Sequence, residues 1–202
     1  MNTRDKQRAK EPRRSRQRVR AWVFPIVVLV ALSGYLRVAL PFAIDPGRIA
    51  VNYVENTGRV GSSGMPTEHQ FSEIAHSGYE VVVNLVPAGS VGAHPDEQGL
   101  VERSGMRYYG IPVSYTAPRA EDFEQFVRVV RQSDGKRVLA HCQLGWRAST
   151  FVFLYRVIEL GEDPDAAFED VLRVWSPASH WRAFIRDTLR ERNKPLPARL
   201  AA

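Results

Sequence analysis

Residues able to do chemistry are concentrated in one short segment that contains the chain's single cysteine. Cys142 follows the apolar run 137–140 and precedes a loop with Gly145 and then Arg147. This pattern predicts a buried strand, a tight loop and a helix that begins near residue 148. A loop that feeds a helix N-terminus presents several backbone N–H groups to one point, where the helix dipole favours an anion. The segment is therefore predicted to hold an anion beside a thiol.

The same electrostatic field stabilises a thiolate, so we expect Cys142 to be at least partly ionised and nucleophilic. The planar guanidinium of Arg147 is suited to hold two oxygens of a phosphate or sulfate. A free cysteine is often only a small buried hydrophobe, but the glycine and arginine that follow favour a functional role. The predicted anion-binding residues run through the loop into the helix: Gln143, Leu144, Gly145, Trp146, Arg147 and Ala148. For Trp146 the sequence leaves open a place over the pocket or a contact with a neighbouring element.

The segment resembles the active-site loop of the cysteine-dependent protein-tyrosine and dual-specificity phosphatases. In those enzymes a His-Cys pair is followed by two residues, Gly, two residues, Arg and then Ser or Thr; His141, Cys142 and Gly145 match in identity and spacing. Arg147 comes one residue early and Ser149 stands two residues after it. A bacterial branch of the superfamily has this shorter spacing, and the similarity to it extends over about residues 47–190.

The resemblance implies a two-step hydrolysis of phosphate monoesters. The Cys142 thiolate attacks phosphorus, Arg147 and the loop amides bind the phosphoryl oxygens, and water then hydrolyses the cysteinyl-phosphate. Ser149 or Thr150 is expected to donate a hydrogen bond to the departing thiolate. His141 is expected to order the loop through its ring nitrogens rather than to act as a base.

A general acid is harder to assign. The family would place an aspartate in the loop after strand 107–113, but residues 114–120 contain no carboxylate. Glu121 and Asp122 are better explained as first-turn charges at a helix N-terminus. Asp96, in the long loop 86–99 at the end of another strand, is the residue that we predict as the acid.

Two other functions fit the same loop. Rhodanese-type sulfurtransferases have a similar Cys-to-Arg separation and carry a persulfide on the cysteine, so Cys142 is a candidate for that chemistry as well. A catalytically weak phosphate-binding module is the non-enzymatic alternative, suggested by the early arginine and the unassigned acid. His141 and the upstream similarity over residues 62–113 favour the phosphatase.

The elements around the loop alternate between strand and helix. This order predicts an α/β fold with a mainly parallel central sheet flanked by helices, as in dual-specificity phosphatases. Gly61 to Gly64 is expected to be a turn. Predicted strands cover 48–54, 79–85, 107–113 and 137–140, and predicted helices cover 67–78, 98–105, 120–132, 148–160, 164–175 and 179–192.

The amino-terminal residues carry most of the chain's positive charge. Residues 1–20 hold nine Lys/Arg against two acidic residues, whereas residues 45–202 hold 18 Lys/Arg against 20 Asp/Glu. The tail 1–20 is predicted to be disordered, and the apolar residues 21–44 to be a transmembrane anchor that follows it. A cleaved signal peptide and a buried core helix are the alternatives. The basic tail would keep the N-terminus in the cytoplasm, with the phosphatase-like domain 45–192 on the trans side and a frayed tail at 193–202.

The remaining composition excludes several classes. One cysteine cannot form an intrachain disulfide or a cysteine-rich zinc site. A slightly acidic domain lacks the basic surface that nucleic-acid binding needs, so no nucleic-acid partner is expected. No cofactor or metal is expected either. The expected partners are a phosphorylated substrate (a protein or a phospholipid) and the lipid bilayer.

Overall fold

A four-stranded parallel sheet forms the centre of the domain. The computed structural model describes residues 49–201. The spatial order of the strands is β1-β4-β2-β3, and every pairing is parallel. The strands are β1 (Val60–Ser63), β2 (Val81–Asn84), β3 (Arg107–Gly110) and β4 (Val138–His141). The predicted parallel sheet is confirmed.

Helices cover both faces of this sheet. The helices are α1 (Glu68–His76), α2 (Glu97–Arg103), α3 (Ala120–Gln132), α4 (Trp146–Glu159), α5 (Pro164–Val174), α6 (Ser179–Glu191) and α7 (Ala198–Ala201). Alternate strand residues face opposite sides: Val81 and Val83 pack in a cluster with α3 to α6, whereas Val82 packs with α1 and α2. This burial on both faces explains why β2 and β4 are continuous apolar runs. The flanking helices predicted from the sequence are confirmed.

Local sequence patterns predicted the bounds of most helices closely. The apolar stripe predicted over 120–132 is the helix Ala120–Gln132. The capping box predicted at Thr67 is present, and Thr67 N–H donates to Gln70 Oε1 over 2.8 Å. The helix predicted from residue 148 begins earlier, at Trp146, directly after the left-handed Gly145.

The first strand is not where the sequence analysis predicted it. Residues 49–53 form turns, and Val54 makes only an isolated bridge with Ser62. The strand is Val60–Ser63, in the segment predicted to be a turn, and all four of its residues are buried. A small residue is required there because a Cβ on Gly61 would lie 2.3 Å from Tyr79 Oη. Close packing, not turn formation, therefore accounts for this glycine.

The carboxyl-terminal residues also differ from the frayed tail that was expected. They end in the short helix α7, where Leu200 is buried and Leu196 packs against the main core. Ala198 N–H donates to Asp165 Oδ1 over 2.7 Å, which attaches this turn to α5. The last turn is thus part of the domain.

The amino-terminal tail 1–20 and the predicted anchor 21–44 lie outside the described residues. Across 49–201, every helix is too short or too polar to cross a bilayer.

Candidate active site

The cysteine loop lies at the carboxyl ends of β1, β4 and β2, where open α/β sheets bind ligands. His141 ends β4 and is in register with Ser63 of β1 and Asn84 of β2. Cys142 N–H donates to Ser63 O over 3.2 Å, which continues the strand pairing by one residue. The thiol is thus attached to the middle of the sheet before the chain turns into α4.

Carbonyl groups of the loop point away from its centre. Gln143 O accepts from Met65 N–H at 3.1 Å, and Leu144 O accepts from Asn52 Nδ2 at 3.0 Å. Gln143 Nε2 donates to Val91 O at 3.0 Å, which ties the loop to the segment after β2. Because each peptide directs its C=O and N–H to opposite sides, the N–H groups of the same two peptides, those of Leu144 and Gly145, face inward.

Six consecutive backbone amides, those of residues 143–148, make no hydrogen bond within 49–201. They include the first amides of α4, which have no intrahelical partner. Gly145 makes this arrangement feasible with a φ of +82°, and a Cβ there would lie 3.2 Å from Gly64 N and from the Ser63 carbonyl carbon. The loop is therefore a concave set of N–H donors with Cys142 at its start, which is suited to a tetrahedral oxyanion.

Arg147 completes this donor set from the first turn of α4. Its side chain is 95% buried (5% exposed), and both hydrogens of one terminal nitrogen are used, by Leu85 O and Val113 O at 3.0 Å each. The other terminal nitrogen donates to Gln143 Oε1. A guanidinium has five N–H groups, so Nε–H and one terminal N–H stay free of partners within 49–201. These two N–H groups are the ones that remain available to the oxygens of an anion.

A cavity of about 280 Å³ opens above the thiol. It is lined by Tyr115, Cys142, Gln143, Leu144, Trp146 and Arg147. Cys142 is only 1% exposed, so it forms the floor of this cavity. Among residues 49–201, Arg147 is the one charged side chain in the lining, and no carboxylate of that range belongs to it.

One wall of the cavity is aromatic. Trp146 stacks on Trp175 with a centroid distance of 5.0 Å and an interplanar angle of 2°, and Tyr115 lies 5.9 Å from Trp146. Tyr115 O accepts from Trp181 Nε1 at 2.9 Å and contacts His180 Nε2 at 3.0 Å. The sequence left two positions open for Trp146, over the pocket or against a neighbouring element. In the structure it lines the pocket and also contacts Trp175. Tyr115 was not among the predicted site residues, because a tyrosine in a loop carries no specific local signal.

Neither Ser149 nor Thr150 donates a hydrogen bond to the thiol. Both hydroxyls donate to Trp146 O, at 3.1 and 3.0 Å, within α4. This back-bonding is common for Ser and Thr inside helices. The predicted hydrogen bond to the sulfur is therefore not made in this conformation, and Ala148 contributes its backbone amide only.

His141 is bonded to a carboxylate rather than to backbone. Its Nε2 lies 2.9 Å from Glu97 Oε1, and both residues are buried, with exposures of 0% and 4%. The sequence analysis placed Glu97 in the long loop 86–99 and predicted no contact with His141, because no local pattern indicates a partner 44 residues away. The loop-ordering role predicted for His141 stays a prediction, now with a named partner.

None of the carboxylates considered as general acid lines the cysteine cavity. Asp96 caps α2 by accepting from Gly99 N–H at 3.2 Å and forms an exposed ion pair with Arg103. It lines a second cavity of about 580 Å³. This placement argues against Asp96 as the acid, since capping already explains it. Glu121 and Asp122 lie in the first turn of α3, as expected, and Asp122 also forms an ion pair with Arg119.

Within residues 49–201 no cluster of three or more His, Cys, Asp or Glu side chains is arranged to hold a metal ion. The donors that converge at the candidate site are N–H groups. They suit an anion rather than a cation.

Comparison with known proteins points to one family. The family model described as "DSP-PTPase phosphatase fused to NAD+ Kinase" matches residues 53–187. A DUF442 protein of Shewanella putrefaciens CN-32, described as a candidate phosphatase, is 36% identical with a TM-score of 0.65, over 70% of this chain and 93% of that one. Tk-PTP in its active form is 26% identical with a TM-score of 0.59, over 70% of this chain and 97% of that one.

A curated relative is much longer than this chain. It is the "Beta-lactamase hydrolase-like protein" of Xylella fastidiosa (strain Temecula1), 33% identical over 109 residues. The match covers 52% of this chain and 25% of that protein, so the chain spans about a quarter of its length.

Proposed function

This chain belongs to the DSP-PTPase phosphatase family, and we propose that it hydrolyses phosphate monoesters through a cysteinyl-phosphate on Cys142. One observation carries the proposal: the thiol on the cavity floor begins a run of six backbone amides without a partner within 49–201, and Arg147 in the same lining keeps two N–H groups without a partner there. Such donors stabilise the charge on phosphoryl oxygens without reorganising during the reaction.

The two chemical steps follow from this donor set. In the first, the Cys142 thiolate attacks phosphorus, an S–P bond forms, the ester P–O bond breaks and the alcohol leaves as its oxyanion. Arg147 and the loop amides hold the three equatorial oxygens. In the second, water attacks phosphorus, the S–P bond breaks, and inorganic phosphate and the thiolate are released. For Ser149 or Thr150 to donate to that thiolate, its hydroxyl must rotate away from Trp146 O.

Esters of aromatic alcohols are the substrates that this cavity favours. A phenolate, with a pKa of about 10, leaves more readily than an alkoxide when no acid is present to protonate it. The wall of Tyr115 and Trp146 offers apolar and aromatic surface to the leaving group. Arg147 is the one cation that the described part of the chain contributes to the lining, and a single cation does not suit a multiply phosphorylated headgroup. We therefore infer a phosphotyrosine-type substrate rather than a phospholipid.

Phosphate release from a phosphotyrosine peptide and from the matching phosphoserine peptide tests both parts of the proposal. We expect the aryl ester to react at least about 100-fold faster, the range of a missing general acid. Cys142→Ser should abolish turnover and still bind phosphate. Trp146→Leu should raise KM for the aryl ester and leave alkyl turnover nearly unchanged. Equal rates on the two peptides would contradict the substrate class. Phosphate binding without turnover in the wild-type protein would leave only a binding module.

Sulfur transfer is the second function that the site can support. The lining residues that belong to 49–201 include a thiol and a guanidinium but no carboxylate, and this set favours it specifically. If Cys142 attacks the outer sulfur of thiosulfate, the S–S bond breaks and sulfite leaves without needing a proton; the Cys142 persulfide then passes its sulfur to cyanide. Incubation with thiosulfate and cyanide measures thiocyanate. Thiocyanate production without any phosphatase activity would replace the primary proposal with this one.

We also propose that residues 21–44 anchor the protein in a membrane with the domain on the trans side. Sixteen uncharged residues at 21–36 after a tail rich in Lys and Arg support it. A reporter fused to the C-terminus, active only in one compartment, measures the topology. Cytoplasmic reporter activity, or recovery of the full-length chain without membranes, would contradict it.

A further inference from the structure

Exposed apolar side chains gather around the entrance of the cysteine cavity. In the described part of the chain four large apolar side chains are exposed: Val51, Val91, Leu144 and Leu160 (52%, 93%, 47% and 48%). Three of them are attached to the loop that follows Cys142, whereas Leu160 follows the far end of α4. Single exposed apolar residues need no explanation, but a group of them beside a cavity is typical of an interaction site.

Val51 and Val91 are both held next to Gln143, the first residue after the thiol. The backbone oxygen of Val91 accepts a hydrogen bond from Gln143 Nε2 over 3.0 Å. A Cβ built on Gly64 would lie 2.4 Å from Val51 Cγ1 and 3.0 Å from Gln143 O, so the Val51 side chain lies beside the same residue. Two segments that are distant in sequence therefore present an apolar side chain at the same loop.

Leu144 joins these two residues to the cavity. Its side chain lines the cavity and is half exposed, so it lies where the cavity meets solvent. Its backbone oxygen accepts from Nδ2 of Asn52, the residue after Val51, over 3.0 Å. We call Val51, Val91 and Leu144 the apolar rim.

The segments that carry the apolar rim contain no charged residue. Residues 49–54, 86–93 and 142–146 include no Asp, Glu, Lys or Arg, although 25% of the whole chain is charged. These segments give the acidic or basic side chains of a partner no counter-charge. They also lack the Lys and Arg with which proteins bind anionic lipid surfaces. The rim is therefore suited to apolar side chains of a peptide.

We infer that the apolar rim binds apolar side chains directly next to the phosphotyrosine of a peptide or protein substrate, and thereby selects which phosphorylated sequences react. The inference rests on the proposed function in taking the cysteine cavity as the site of the phosphotyrosine side chain. With the phosphoryl group on the loop amides, the neighbouring residues of the substrate emerge at the entrance, where the rim lies. Contact there removes apolar surface of both partners from water.

Two phosphotyrosine peptides test the inference, one with leucine on both sides of the phosphotyrosine and one with serine. The wild-type protein should show about tenfold higher kcat/KM for the leucine peptide, the range of a few methylenes in an apolar contact. The double variant Val51→Ser with Val91→Ser should reduce this preference to about twofold, since Leu144 remains. Its rate on p-nitrophenyl phosphate should stay within about twofold of wild type, because that ester has no flanking residues.

Leu160→Ser is the matched control. Leu160 is exposed to the same degree as Leu144 but lies at the opposite end of α4. This variant should keep the full preference for the leucine peptide. Equal kcat/KM of the wild-type protein on the two peptides would overturn the inference. An equal loss of preference in Leu160→Ser would overturn it as well.

Binding to Cys142→Ser separates this inference from the proposed function, because it needs no turnover. The Kd of this variant for the leucine peptide should be about tenfold lower than for the serine peptide. If the wild-type protein releases no phosphate but Cys142→Ser keeps that preference, the proposed function fails and the rim is supported. Phosphate release with equal affinity for both peptides would overturn the rim alone.

A bilayer is the other surface that exposed apolar residues bind, and vesicles of phosphatidylcholine measure it. We expect the full-length wild-type chain and the double variant Val51→Ser with Val91→Ser to bind these vesicles equally. Weaker vesicle binding by the double variant, with its peptide preference intact, would assign the rim to a membrane and overturn the inference.

Discussion

Replacing Arg147 by lysine keeps the positive charge but removes the planar fork on which the anion site depends. In the wild-type chain one terminal nitrogen is held by Leu85 O and Val113 O, and two N–H groups of this cavity-lining guanidinium have no partner within 49–201. A lysine ammonium is one point with three donors. It can satisfy those two carbonyls or bind two phosphoryl oxygens, but not both.

The size of the effect follows from the donors that are lost. Two hydrogen bonds to a charged group contribute about 1.5–3 kcal/mol each. Lysine recovers part of this through its charge, so we expect a net loss of about 3 kcal/mol in transition-state stabilisation. At 1.36 kcal/mol per factor of ten, kcat/KM for an aryl phosphate should fall roughly 100-fold.

Arg156→Lys provides the comparison for this variant. Arg156 is also on α4 and nearly buried (8% exposed), but it pairs with Glu162 and Asp170 away from the cavity. Both variants should unfold at lower urea concentration than the wild type, because each disrupts a buried network. Only Arg147→Lys should lose two orders of magnitude in phosphate release, with Arg156→Lys within about threefold of wild type.

The measurements are kcat/KM on p-nitrophenyl phosphate and urea unfolding, each for the wild type and both variants. If Arg147→Lys keeps kcat/KM within about fivefold of wild type while folded, the guanidinium does not bind the phosphoryl group as argued. An equal loss in Arg156→Lys would attribute the effect to folding instead.

Three further changes have defined outcomes. Gly145→Ala places a Cβ against Gly64 N at a φ of +82°. The free energy of unfolding in urea should fall by about 1–3 kcal/mol, and phosphate release should slow. Unchanged values would mean that the loop accommodates a Cβ. A chain that ends at residue 194 loses the buried Leu200, which should cost about 2–3 kcal/mol in the same assay, and an unaltered midpoint would show that α7 does not stabilise the domain. Burial raises the pKa of Tyr79, so above about pH 10 the unfolded chain loses a proton that the folded chain keeps. The free energy of unfolding should therefore fall as the pH rises further. Tyr79→Phe should show a shallower fall, and an equal slope in the two proteins would contradict this explanation.

Elements with a strong local period were predicted well from the sequence. The helix over 120–132 has the predicted bounds, because its apolar residues recur at helical spacing and its packing agrees with that pattern. The interior strand at Val81–Asn84 was also located, as a valine-rich run between turns. Val60–Ser63 was missed because glycine and serine are typical of turns. Only the distance to Tyr79 explains their use in a buried strand.

The residues of the candidate site were likewise predicted only in part. Cys142, Gly145 and Arg147 are close in sequence, and a strand, loop and helix N-terminus place them together wherever that motif folds. The general acid could not be predicted in this way. Asp96 was selected because it lies in a loop at the end of a strand. Its capping hydrogen bond and its ion pair with Arg103 leave no pattern in the residue spacing.

By itself the sequence determined the family, the parallel α/β order and the residues of the thiol and arginine loop, because all three depend on short-range patterns. Only the tertiary structure decided how these residues are held. Arg147 is oriented by carbonyls 62 and 34 residues away, and His141 meets a carboxylate 44 residues away. The physical reason is that such contacts depend on which strand ends lie side by side in the sheet. The periodicity of apolar residues along the chain does not encode that order.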